Sequence, residues 1–313
     1  MEYLQEKKQE IKKIIFVGLE NAGKTSIILT LKREFSKIAD IEPTHGAKRR
    51  TFTLLGREIN EWDLGGQKHY LISYLKNPNK FFDNTDSAIY VIDIQDTLRI
   101  TESIKYLGDV VREFKNLKIV PSISVFFHKV DPVLIKESQV EISKHTSELT
   151  KQIKNLINYT KIRFFITTIY DTSTIIRAMS EVMLELYPKS HLIQKTITDF
   201  AKKLKCESLI VIDENSLIIG SFYTNDESKY MLTKALSHFL AFNDAFQLNG
   251  FDRSDDQMLV HKFGKYFLFK RINLKESVLP YYVLLLNSNP FDLYFIKREY
   301  DTFIRILKEI IYS

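Results

Sequence analysis

Phe16 to Ser26 read FVGLENAGKTS, a stretch in which Gly18 and Gly23 stand five apart directly before Lys24 and Thr25. The run fits G-x-x-x-x-G-K-[ST], and the chain has only ten glycines with which to make it. Backbone N–H groups of such a loop converge on phosphate oxygens, and the helix that follows adds the positive end of its dipole. Gly18, Leu19, Glu20, Asn21, Ala22, Gly23, Lys24, Thr25 and Ser26 are therefore the expected phosphate cradle. Within it Lys24 would bridge the β- and γ-phosphates, and the Thr25 hydroxyl would ligate Mg²⁺.

That loop does not choose between ATP and GTP. The choice rests on FFHKVD, Phe126 to Asp131. A carboxylate at Asp131 accepts from guanine N1–H and N2–H₂ together. Adenine has no such pair of donors, and a buried carboxylate left without them is costly. Lys129 would lay its stem along the base plane, with His128 beside it. A third stretch, EWDLGGQ at 61 to 67, supplies Asp63 to hold Mg²⁺ through water, the Gly66 N–H for the γ-phosphate, and Gln67 to orient an attacking water. Catalysis would then be positioning and charge neutralisation by Lys24, Mg²⁺ and Gln67. No arginine stands where the sequence marks an internal finger, so hydrolysis is expected to need a partner protein.

These residues need a scaffold that presents loops at one edge of a sheet. KKIIFVG (12–18) reads as a buried strand and 26–35 as the helix after the loop. TFTLLG and EINEWDLGG form two strands joined at Gly56-Arg57, and SAIYVIDI (87–94) and SISVFF (122–127) are apolar enough for central parallel strands. Helices are expected over 98–114, with Ile104, Leu107, Val111 and Phe114 inward, and around Ile142, Leu149, Ile153 and Leu156. RFFITTI (163–169) and a helix over 175–187 complete an alternating α/β order with a mostly parallel sheet. After Pro188 the order becomes helix, two strands, helix, three strands, helix, with the last helix starting at Asn289-Pro290. Two domains follow, 1–188 and a smaller α+β domain at 189–313.

Taken together, GLENAGKTS, WDLGGQ and HKVD resemble the Ras superfamily of small GTPases, in particular its Arf-like and Rag/Gtr branches. The resemblance implies that Thr44, in IEPTHGAK and nineteen residues before Asp63, closes onto Mg²⁺ and the γ-phosphate as a catalytic and metal-binding threonine. It also implies that TTIYD (167–171) is the last guanine-contacting loop, with Thr168 and Ile169 beside the base. His128 stands where the family usually has Asn, a substitution similar to the Rag motif. Gly65-Gly66-Gln67 looks like the A-type Rag subunit. The likeness extends to a C-terminal roadblock or longin-type domain and to dimerisation through it, with a second Rag-like GTPase or a second copy. It further implies a GTP/GDP switch in signalling, acting with a roadblock-type scaffold, an activating protein and an exchange factor. Glu20 places a carboxylate where many Ras-type proteins have glycine, which points to slow hydrolysis. Alternatives are an Arf-like trafficking GTPase with an appended domain and a nucleotide-bound scaffold with little turnover.

Composition agrees with a packed, folded chain: 44% of the 313 residues are hydrophobic and 27% charged. Cys206 is the single cysteine, which rules out an internal disulfide and suits a cytoplasmic setting. The net charge of +6 comes from scattered lysines, read as solvated faces with an acidic partner or membrane surface as the alternative; no nucleic-acid module is visible. Glu2 excludes N-myristoylation and the terminal EIIYS lacks a prenylation cysteine, so any membrane recruitment is expected through partner proteins. Phe239, Phe242 and Phe246 share a helix face that could serve a dimer or pack on its own sheet.

Overall fold

A computed structural model describes residues 11–213, 215–248, 257–272, 274 and 281–312, with backbone only at 135, 137, 244 and 246–248. The chain divides into two compact units, Met1–Ala178 and Met179–Ser313.

The first unit runs β1 (Lys12–Val17), α1 (Lys24–Leu31), β2 (Ala47–Leu54), β3 (Arg57–Leu64), α2 (Lys68–Lys76), α3 (Pro78–Phe81), β4 (Ser87–Asp93), α4 (Ile100–Asn116), β5 (Ser122–His128), α5 (Pro132–Ile157), β6 (Ile162–Ile166) and the start of α6 (Thr172–Glu185). Its sheet has the order β2-β3-β1-β4-β5-β6. Only the β2–β3 pair is antiparallel. All seven residues of β5 and six of the seven in β4 are buried, as strands covered on both faces require. The chain leaves β1 toward β3 on one side and returns to β4 on the other. Such a reversal of strand order leaves a crevice beyond the C-terminal end of β1, where open α/β sheets bind ligands.

Local patterning mostly transfers to packing. Ile104, Leu107, Val111 and Phe114 of α4 all face the core. In α5 the inward stripe is Leu149, Ile153 and Ile157, spaced by four, while Leu156 points outward at 57% exposure. A spacing of three after Ile153 rotates the side chain off the buried face, and Ile157 takes its place.

The second unit contains the rest of α6, α7 (Ser190–Leu204), β7 (Ser208–Ile212), β8 (Ile218–Tyr223), α8 (Asp226–Leu248), β9 (Gln257–Lys262), β10 (Lys265–Ile272), β11 (Tyr281–Asn287) and α9 (Leu293–Tyr312). Its sheet, β8-β7-β11-β10-β9, is antiparallel throughout. The break between units falls inside α6, ahead of the 188/189 boundary read from the sequence. Within the second unit the Ile218 N–H donates to Ser180 Oγ at 2.8 Å, and Tyr187 OH donates to the Ile311 carbonyl at 3.3 Å. The last helix begins at Leu293 rather than at Asn289-Pro290. Asp292 is its cap, accepting the Phe295 N–H at 2.9 Å, and a side-chain acceptor ahead of the first turn sets the start more firmly than the proline does. Phe239 packs on its own sheet, stacked on Phe269 at 4.3 Å, whereas Phe242 is half exposed. The Phe246 side chain lies outside the described residues.

Candidate functional site

The turn after β1 is built on two glycines that no other residue could replace without strain. Gly18 has φ +147°, and a Cβ there would lie 2.4 Å from the Val91 carbonyl oxygen of β4. Gly23 has φ +96°, and a Cβ there would lie 2.4 Å from the His128 ring. The loop is thereby pressed between the two central strands, and α1 starts immediately after it.

Lys24 is buried at 6% exposure and donates to the Gly18 and Leu19 carbonyls, each at 2.8 Å. Burial pulls its pKa down to about 8, with the Asp63 and Glu20 carboxylates opposing. Thr25 Oγ1 donates to Asp63 Oδ2 at 2.7 Å, and Thr44 Oγ1 lies 3.3 Å from the same oxygen and 3.0 Å from Thr25 Oγ1. Asp63 is 1% exposed, and its other oxygen, Oδ1, has no hydrogen-bond partner among the described residues. The Gln67 Oε1 is likewise buried without one. Unsatisfied buried acceptors are rare in folded proteins and point to a missing donor or cation.

Segments distant in sequence meet here. The Gly65 N–H donates to the Gly46 carbonyl at 2.8 Å and Tyr74 OH to the same oxygen at 2.8 Å. The Glu20 N–H donates to the Gly66 carbonyl at 2.9 Å, and a Cβ at Gly66 would strike the Glu20 nitrogen at 2.2 Å. A pocket of about 410 Å³ lies among these segments, lined by residues 20–26, 41–44, Gly66, Gln67 and Arg99. The sequence-derived residues Glu20, Asn21, Ala22, Gly23, Lys24, Thr25, Ser26, Thr44, Gly66 and Gln67 thus share one cavity. Gly18 and Leu19 stand behind it, with their carbonyls on Lys24.

His128, at the end of β5, joins this cavity to a second cluster. Its ring abuts Gly23, and its Nδ1 pairs with Thr167 Oγ1 at 2.9 Å. Burial, then the Lys129 charge, push its pKa down to about 4, so the imidazole is neutral at physiological pH. Lys129 takes φ +64° and donates to Asp93 Oδ2 at 2.6 Å. Asp131 accepts from Thr168 Oγ1 at 2.7 Å on one oxygen and from Gln95 Nε2 at 2.9 Å on the other. Gln95 Nε2 also donates to the Lys129 carbonyl at 2.6 Å. Ile169 follows Thr168 in the same turn and is partly buried.

Three contributors escaped the sequence reading: Asp93, Gln95 and Arg99. All lie at or just beyond the C-terminal end of β4, the strand beside β1, and that position was the available signal. Arg99 stands in the pocket wall.

The donor set fits a phosphate chain and a hard cation. Lys24 is a buried cation hydrogen-bonded to neutral carbonyls, and an anion beside it would offset its burial. Around Asp63 the available ligands are two hydroxyls and a carboxylate, all oxygen. Among the described residues no group of three or more His, Cys, Asp or Glu is placed to hold a metal ion. A cation at this place must draw most of its ligands from water and phosphate, as Mg²⁺ does.

Residues 13–240 match the family model of the Gtr1/RagA G protein conserved region. ADP-ribosylation factor-like protein 3 of Chlamydomonas reinhardtii is 39% identical over 127 residues, 41% of this chain and 67% of that protein. ADP-ribosylation factor-like protein alp41 of Schizosaccharomyces pombe is 36% identical over 140 residues, 45% of this chain and 70% of that protein. The solved Arl6 BBS3 small GTPase of Trypanosoma brucei, with bound GppNp, is 18% identical over 56% of this chain and 96% of that one, with a TM-score of 0.43. The family match spans well over half of the residues and runs through the phosphate loop, the Asp63–Gln67 turn and the HKVD stretch. The chain therefore belongs to the Gtr1/RagA G protein family of the Ras superfamily, and it is a small GTPase, a guanine-nucleotide-binding GTP hydrolase.

Proposed function

We propose that this GTPase is a slow GTP/GDP switch that signals as a dimer held together by its second unit. The observation that carries the switch is the meeting of Thr25, Thr44 and Asp63 within 3.3 Å, beside Gly66 and Gln67. Thr44 lies just ahead of β2 and Gly66 just after β3, so the two stand at the same end of that strand pair, beside the pocket. A γ-phosphate contacted by both favours one arrangement of the segments that carry them, and its loss removes the preference.

Thr25, Thr44 and, through water, Asp63 are the residues that would hold Mg²⁺. The ion would supply charge neutralisation on the phosphate oxygens. Lys24 binds the phosphate chain, the loop N–H groups orient it, and Gln67 presents its side-chain amide to a water at the mouth of the pocket. Asp131 reads the guanine edge, with Thr168 and Ile169 flanking the base and the Lys129 stem across its face. His128 acts through Gly23, positioning the loop rather than touching the nucleotide.

The second unit supports the dimer reading by its strand order and by where the family match ends. In chain order its strands lie 2-1-5-4-3, an arrangement that suits a roadblock or longin-type domain and leaves β8 and β9 as edges. An edge strand offers unpaired backbone groups to a like domain. The match to the family continues past Met179 to residue 240, which favours a Rag-type protein over an Arf-like GTPase with an unrelated appendage. Partners would be a second Rag-like GTPase or a second copy, a roadblock-type scaffold, an activating protein and an exchange factor. Residence would be cytoplasmic, with membrane recruitment through those partners.

Native mass spectrometry of the purified full chain tests this in one spectrum. Retained GDP or GTP with Mg²⁺ and two chains per particle is the expected result; a monomer with no nucleotide would overturn it. Replacing Gln67 by Leu should slow single-turnover GTP hydrolysis at least tenfold. An unchanged, already negligible rate would favour the scaffold reading.

A further inference from the structure

Arg99 lies in the wall of the nucleotide pocket, on the loop that leads from β4 into α4. Its backbone is fixed at both sides: its N–H donates to the Asp96 carbonyl at 3.1 Å, and its carbonyl accepts the Ser103 N–H at 2.9 Å. Its guanidinium is shared between two carboxylates. The Nε edge meets Glu102, in the first turn of α4, at 3.2 Å. The other edge faces the phosphate loop and meets Glu20 at a looser 3.5 Å.

Glu20 marks which end of the pocket this is. Its N–H is bonded to the Gly66 carbonyl, next to Gln67, so Arg99 looks toward the end where a terminal phosphate would lie. The ion pair itself is weak. Arg99 is 33% exposed and Glu20 51%, and pairs with such exposure are screened by water and salt. A phosphate oxygen is a stronger partner for a guanidinium edge than a carboxylate held at that distance.

We infer that Arg99 supplies, from within this chain, the arginine that contacts the terminal phosphate of GTP, and that Glu20 restrains it. Glu102 orients the guanidinium so that its second edge faces the pocket, and Glu20 competes with phosphate for that edge. The inference rests on the nucleotide reading above and adds a residue to it. It also gives the carboxylate in the phosphate loop a specific role: slow turnover follows from a restrained arginine, not from an absent one.

The experiment is a double-mutant cycle on the full chain with Glu20→Gln, Arg99→Ala and the pair combined. Affinities for GDP and for a non-hydrolysable GTP analogue are titrated with Mg²⁺, and single-turnover hydrolysis is followed in parallel. Arg99→Ala should weaken the GTP analogue about tenfold, the scale of one charge-assisted hydrogen bond, and leave GDP within about twofold. Glu20→Gln should tighten the analogue about threefold and raise the hydrolysis rate, and both gains should vanish when Arg99 is also replaced. Thermal melting confirms that each variant is folded, and Arg99→Lys, which keeps charge but not the fork, should recover only part of the loss.

If Glu20→Gln gains as much or more in the Arg99→Ala background, Glu20 acts by direct repulsion and the inference fails. Equal weakening of GDP and the analogue by Arg99→Ala overturns it as well. Absence of any guanine-nucleotide binding by the unmodified chain would be a different failure, that of the nucleotide assignment.

Discussion

At the phosphate end of the site, Lys24 is bonded to two neutral carbonyls, and Asp63 and Gln67 each keep a buried oxygen without a partner among the described residues. At the base end, Asp131 has both carboxylate oxygens engaged, Lys129 is paired with Asp93, and His128 with Thr167. One end carries charge that the protein leaves poorly matched. The other is hydrogen-bonded into a fixed frame. The difference would suit the tasks proposed for them: a phosphate chain is bound by charge, which rewards a cation without an anionic partner, whereas a base is read by geometry, which rewards acceptors that do not move.

The strongest way to break that contrast is at Lys24. Lys24→Met should reduce GTP affinity by at least about a hundredfold, measured by titration, because a buried cation next to phosphate has no replacement. The same change should raise the melting temperature of the nucleotide-free protein at pH 7. Folding drags the lysine pKa from 10.5 to about 8, a burden on the order of a few kcal/mol while the group is charged. Between about pH 8 and 10.5 the unfolded chain holds this proton and the folded chain does not, so nucleotide-free stability should climb with pH in that window. Lys13, also lowered to about 8 by burial, contributes to the same climb, so Lys24→Met should flatten it only in part.

The base end should respond in specificity rather than in overall charge. Asp131→Asn removes the acceptor pair for guanine and offers donors to the 2-oxo group of xanthine. The expected result is a shift of about a hundredfold in the GTP-to-XTP affinity ratio; loss of both nucleotides alike would show that Asp131 serves the fold and not the base. Thr168→Ala deletes one bond that orients the carboxylate. It should lower discrimination between GTP and ITP about fivefold, in line with a single hydrogen bond of about 1 kcal/mol.

The smallest expected effect is at the hinge between the two ends. His128 titrates near 6.5 in an unfolded chain and at about 4 in the folded one. As pH falls through that interval the unfolded chain gains a proton that the folded one refuses, and stability drops. His128→Asn should remove that part of the acid sensitivity, read as a flatter melting temperature between pH 6.5 and 4, while GTP affinity at pH 7 changes by less than about fivefold.

Which residues would meet around the pocket was largely legible before any fold was known. Residues 18–26, Asp63, Gly66, Gln67 and the HKVD stretch sit in short runs of recognisable spacing, because a loop that wraps phosphate needs its glycines and lysine close together in one run. Gln95, Asp93 and Arg99 were not legible. No local pattern distinguishes QDTLR from any other polar turn, and each of these side chains acquires its role from a partner tens of residues away. The inward stripe of α5 failed in a smaller way, since periodicity names a face but not which of two neighbouring apolar residues turns toward the core.

Chain order and composition by themselves determined that a glycine loop of the phosphate-binding pattern follows a buried strand, that an alternating α/β unit precedes an α+β one, and that a carboxylate, Asp131, follows the strand that ends at His128. Backbone propensity and hydrophobic period are local properties, and they are written in contiguous residues. Tertiary structure alone decided that His128 supports Gly23, that Asp131 is held from two sides, that the two units part inside α6, and that Arg99 faces Glu20 across the pocket mouth. Those are relations between residues distant in the chain, and they depend on distances that only the closed fold sets.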